Sequence, residues 1–62
     1  MTQEQQRAVQ DVIAKARVEV GHNSITLSDR SEVYAYSQNG RILWGVNSGM
    51  NGFNVARGVI AE

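Results

Sequence analysis

Acid–base catalysis, metal binding and phosphate binding each need particular residue types brought close together, and in this chain those types are few and scattered. His22 is the only histidine. A catalytic base also needs a nucleophile and a group that orients it, and His22 has only Asn23 and Ser24 beside it. Placed just past the end of a predicted helix, its ordinary role is that of a cation near bare carbonyls. The carboxylates Glu4, Asp11, Glu19, Asp29, Glu32 and Glu62 lack the close pairing that glycosidic or metal-assisted hydrolysis uses. With no cysteine, the common tetrahedral zinc sets cannot form within one chain. Gly45, Gly49 and Gly52 match neither the dinucleotide fingerprint nor the Gly-Lys-Ser/Thr ending of a phosphate loop, so they read as connecting loop. The expectation is a non-enzyme with no catalytic residue, no cofactor and no metal.

One group of side chains stands above this background. Tyr34 and Tyr36 are two residues apart, so on a strand they share a face, and Arg41 and Leu43 fall on that same face of the predicted hairpin. Tyrosine and arginine are enriched where protein interfaces concentrate their energy, so Tyr34, Tyr36, Arg41 and Leu43 are the candidate partner-binding residues. The same set resembles a stacking platform for single-stranded nucleic acid, with Arg30, Arg41 and Arg57 as phosphate contacts. The ordinary account is that Tyr34 covers Gly45 and Tyr36 packs on Leu43, as cross-strand pairs do on any wet sheet face.

The elements that position these residues are legible from period and turn chemistry. Thr2 and Gln5 form a capping-box pair, and Val9, Val12, Ile13, Ala16 and Val20 then recur at helical spacing. The pattern predicts a helix over 3–19, with Gly21 as its C′ residue. From Ser24 the period becomes two, with Ile25 and Leu27 alternating against Thr26 and Ser28, and Asp29 to Ser31 supply a turn. Two β-rich runs, 32–38 and 41–47, flank Asn39-Gly40, the preferred pair for a two-residue type I′ hairpin. That turn sets Gln38 opposite Arg41, Tyr36 opposite Leu43, Ala35 opposite Trp44, Tyr34 opposite Gly45 and Val33 opposite Val46. Val33, Ala35, Ser37, Ile42, Trp44 and Val46 then form the face that receives the helix. Residues 53–61 read as a further strand in which Phe53, Val55, Arg57 and Val59 alternate. The competing reading, a short helix capped by Asn54, is disfavoured because Gly58 would cost it about 1 kcal/mol relative to alanine.

The architecture expected is therefore α+β, one N-terminal amphipathic helix packed on a three- to four-stranded antiparallel sheet centred on the 32–47 hairpin. The chain has 62 residues, beginning at Met1, and reads as a complete small gene product forming a single domain. At this size only roughly 60% of the surface is hidden on folding, and with disulfides excluded, self-association is the natural supplement. Six basic side chains balance six acidic ones, which disfavours nucleic acid as a partner. No apolar run reaches the ~20 residues of a membrane span, and a cytoplasmic location is the default. Short, neutral, cysteine-free chains of this kind suit accessory or regulatory roles in bacteria or phages. The expected function is non-enzymatic binding of an unknown protein, with homodimerisation through an edge strand or the tyrosine face; nucleic-acid binding by that face is the alternative.

Overall fold

Thr2 begins the helix as its sequence demands. The Gln5 amide donates to Thr2 Oγ1 at 3.0 Å and the Thr2 amide donates to Gln5 Oε1 at 2.9 Å, so two amides that no helical carbonyl could reach are satisfied reciprocally. In the computed structural model, which describes residues 1–19 and 21–61, helix α1 runs Gln3–Val18. It is followed by strands β1 (His22–Thr26), β2 (Glu32–Gln38), β3 (Arg41–Asn47) and β4 (Asn54–Ala61). The strands form one antiparallel sheet in the order β1-β2-β3-β4, each joined to the next by a hairpin connection. The helix lies on one face of it, the α+β arrangement expected, with four strands.

The helix ends one residue earlier than its periodicity suggested, because Glu19 has extended backbone while its amide still donates to the Lys15 carbonyl. Glu19 is thus the C-cap, and Gly21, although it takes a positive φ of 111°, stands one position beyond C′. Val20, expected on the helix stripe, lies outside the described residues, as does Glu62. Val9, Val12 and Ala16 are buried as predicted, Ile13 is half-buried, and Gln5 and Ala8 extend the buried stripe toward the N-terminus.

The core is made of Ala8, Val9, Val12 and Ala16 from α1, with Val33 and Ala35 from β2 and Ile42 and Val46 from β3. All four strand residues belong to the face assigned to the helix. The β2–β3 register matches the predicted one at every pair, from Gln38 opposite Arg41 to Val33 opposite Val46. The cause is local: Asn39 (φ 55°) and Gly40 (φ 74°) both take the left-handed conformation that a type I′ turn needs.

Two connections hold the helix start against the sheet. The turn after β1 closes through the Leu27 amide to the Ser31 carbonyl (2.9 Å) and the Arg30 amide to the Leu27 carbonyl (3.0 Å). Buried Ser31 then accepts from Gln5 Nε2 at 3.1 Å, while the exposed Ser28 hydroxyl donates to Glu4. The one strand expected from the alternation of 24–28 begins two residues earlier, at His22, and ends at Thr26, because Leu27 already belongs to the turn.

Asp29 accepts the Ser31 amide at 2.9 Å, and its interaction with the Ser31 hydroxyl and amide lowers its pKa from the ordinary 3.8. A depressed carboxylate stabilises the fold above its ordinary value and loses that contribution as pH falls through the lowered one. Asp29→Asn should therefore flatten the acid limb of stability. Denaturation midpoints for both proteins between about pH 6 and about pH 2 would show the wild type losing more than the variant.

Candidate functional site

The sheet face away from the helix is built from alternate residues of all four strands, and the register arranges them in rows. Tyr36 pairs with His22 on one side and Leu43 on the other, and Leu43 pairs with Val59. The result is an aromatic and aliphatic row, His22–Tyr36–Leu43–Val59, crossing the whole sheet. The neighbouring row is Ser24–Tyr34–Gly45–Arg57, and the next one toward the hairpin end is Gln38–Arg41–Ala61.

Three rings gather on this face. His22 stacks on Tyr34 with centroids 5.5 Å apart and on Tyr36 at 5.9 Å, and the two tyrosines lie 6.5 Å apart, with all ring planes within 19° of parallel. Such offset stacks are favoured by the ring quadrupole beyond simple burial. The phenol end of Tyr34 crosses to β3 and lies over Gly45, where an added Cβ would stand 2.8 Å from Cε1. Tyr34 therefore does cover Gly45, as the ordinary cross-strand account holds, and in doing so it leans toward the row position of Arg57.

The four predicted site residues share this face, and they divide between two adjoining grooves. Tyr34, Tyr36 and Leu43 line an open groove of ≈ 450 Å³ together with Arg57 and Val59. Arg41 lines the neighbouring groove, ≈ 360 Å³, with Gln38, Asn39, Leu43 and Val59. Arg57 thus borders the same groove as the tyrosines, and Arg41 lies beside them at the hairpin end. The sequence reading leaves His22 and Val59 out of this face, and names Arg57 there only as a phosphate contact of the nucleic-acid alternative. His22 was placed at the helix end, whereas it opens β1 directly opposite Tyr36.

Chemically the face offers phenol hydroxyls, two guanidinium groups and apolar surface, and its carboxylate, Glu32, sits at the far end beside Asn47. Among the described residues no three His, Asp or Glu side chains gather where they could hold a metal ion. Nor is any helix among them long and apolar enough to cross a membrane. Fold and face together define a small α+β domain with an open, partly aromatic sheet surface. No protein-family model, curated protein or solved structure matches the chain.

Proposed function

We propose that this is a non-enzymatic protein-interaction module that receives another protein on the outer face of its sheet. The observation that carries this is the continuous row His22–Tyr36–Leu43–Val59, which lies on the side of the sheet opposite α1 and leaves Val59 59% exposed. A ring block already held in one arrangement loses little side-chain entropy when a partner covers it. Arg57 and Arg41 beside it would orient a carboxylate on the partner through charge-assisted hydrogen bonds. The expected partner segment is therefore apolar with an acidic residue at its margin. Single-stranded nucleic acid fits less well, because six basic side chains are balanced by six acidic ones and the chain has no net positive charge to draw a phosphate backbone.

Capture from a lysate of the source cells tests this, using wild type, Tyr34→Ala/Tyr36→Ala, and Gln10→Ala on the exposed side of α1. A protein held by wild type and Gln10→Ala should bind the tyrosine variant at least ~30-fold more weakly, given that two hot-spot side chains are removed. Equal retention by all three would dismiss the face. Retention of nucleic acid, lost steeply between about 50 and 200 mM salt, would replace the protein partner with the alternative one.

A further inference from the structure

We infer that two copies of this chain join edge to edge through β4, forming a continuous eight-stranded antiparallel sheet with its two-fold axis at Gly58. The pairing runs through the backbone edge of β4 and not through the tyrosine rings, although the side chains of Arg57 and Val59 border both surfaces. It begins with what the helix leaves uncovered: α1 packs on β1, β2 and β3, whereas no Cα of β4 comes within 8 Å of the helix and only Ala56 and Ile60 reach the margin of the core. A helix about 10 Å wide covers two or three strands spaced about 4.8 Å apart, and no residue of β4 enters the buried core. Its inward positions Ala56, Gly58 and Ile60 are only half-buried. Trp44 reaches over from β3 to lie on Gly58, where an added Cβ would stand 2.7 Å from the indole Nε1, and is itself half-buried.

The backbone of β4 is equally unpartnered on its outer side. Gln38 and Arg41 bracket the two-residue turn and so form a hydrogen-bonded pair, and such pairs alternate along an antiparallel ladder. Ile42, Trp44 and Val46 therefore turn their amides and carbonyls to β4, where Ile60, Gly58 and Ala56 meet them. Arg57 and Val59 consequently aim theirs outward. Natural edges are guarded by shortness, proline, charge or a bulge; β4 has eight residues with neither proline nor lysine, and beyond its bulge at Val55 the regular stretch 56–61 carries one charge, Arg57. The opposite edge, β1, has five residues, His-Asn-Ser-Ile-Thr, and is both shorter and more polar.

A second copy is the occupant because this edge complements itself. In an antiparallel pair centred on Gly58, Arg57 faces Val59 of the second copy, Ala56 faces its Ile60 and Val55 faces its Ala61. No like charges meet, whereas setting Arg57 against its own counterpart would be repulsive. The isologous arrangement is the commonest one for small oligomers. Gly58 against Gly58 leaves the space in which the two indoles, each already lying over its own glycine, cover the strip between the two helices. Val55 and Val59, 55% and 59% exposed, pack across the new seam on the other face. An edge pairing buries less than the ~800 Å² per partner of a tight complex, so the dimer should dissociate within a practical dilution series.

Light scattering from about 1 mM down to about 1 µM should show the mass falling from twice 6.8 kDa toward 6.8 kDa. Val59→Pro removes only an amide that faces the open edge, as proline does on tolerated edge positions, and should stay monomeric throughout with an unchanged circular dichroism spectrum. In the wild type, the Arg57 and Val59 amides should exchange slowly when concentrated and rapidly when dilute, which decides the matter even if the proline variant fails to fold. Tyr34→Ala/Tyr36→Ala should still double its mass, so failure of the outer-face reading is distinguishable. A wild type monomeric at 1 mM, a folded Val59→Pro that dimerises equally, or a dimer whose Arg57 and Val59 amides ignore concentration would each overturn the inference.

Discussion

Ile42→Ala is expected to remove about 2–5 kcal/mol of folding stability, against a total of roughly 0.05–0.15 kcal/mol per residue for a domain. Over 62 residues that loss is comparable with the whole. Ile42 sits in the central strand β3 with no exposed surface and is among the largest fully buried side chains. The residues around it decide the size of the effect. Every other member of the core is valine or alanine, and these have stiff or absent side-chain torsions. The long side chains beside the core, among them Ile60 opposite Ile42 and Trp44, are only half-buried and sit at its margin, so the valines and alanines that line the hole leave most of it open. Ile42→Val should cost only about 0.5–1.5 kcal/mol. Val18→Ala, at a position 82% exposed, should stay within about 0.5 kcal/mol of wild type. Urea denaturation of the three variants checks the order, and an Ile42→Ala midpoint within error of Val18→Ala would show that the core relaxes in a way its composition argues against.

What the sequence reveals of this molecule follows the reach of each interaction. The hairpin register is legible because Asn39 and Gly40 determine it within four residues, and the helix start because Thr2 and Gln5 cap each other across one turn. The face shared by Tyr34, Tyr36, Arg41 and Leu43 follows from that register by counting in twos. The placement of β4 does not. Its apolar alternation, Phe53, Val55 and Val59, falls on the exposed side, while Ala56, Gly58 and Ile60 turn inward. A register shift between Val46 and Asn47 puts Val46 opposite Ala56 and Asn47 opposite Asn54, leaving Val55 as the extra residue. One inserted residue changes the relation between sequence and face along a strand. The Asn54 side-chain Nδ2, donating to the Val46 carbonyl, Asn47 Oδ1 and the Ala56 carbonyl, holds the bulge through contacts that no local pattern announces. His22 was misplaced for a related reason. Its pairing with Tyr36 depends on where the turn closed by Leu27 and Ser31 begins, and the alternation of Ile25 and Leu27 hides that boundary.

Gly49→Ala is the other substitution whose effect should far exceed its size, because at this position two backbones meet. A Cβ on residue 49 would stand 2.5 Å from the Asp29 carbonyl oxygen and 2.6 Å from Arg30 Cβ. Side-chain rings receive the overlap at Gly45 and Gly58, and rings can tilt. Here both loops are closed on themselves. The 48–53 loop is tied by the Ser48 amide to the Phe53 carbonyl (2.8 Å) and the Gly52 amide to the Ser48 carbonyl (3.0 Å), and the 27–31 turn by its own pair of bonds. Relief requires one loop to give up a hydrogen bond or the two to separate, which places the cost at about 1–3 kcal/mol. For a chain of this length that corresponds to roughly 4–8 °C in Tm for each kcal/mol. Arg30 supplies the internal check, since its φ of 70° is strained for a residue with a Cβ. Arg30→Gly should therefore be neutral or mildly stabilising alone, and should recover part of the Gly49→Ala loss by removing one of the colliding atoms. The cycle should thus be non-additive, as expected for residues in contact. Strictly additive melting shifts would mean that the loops do not touch, and Gly49→Ala would then lose its claim to a larger effect than Gly45→Ala.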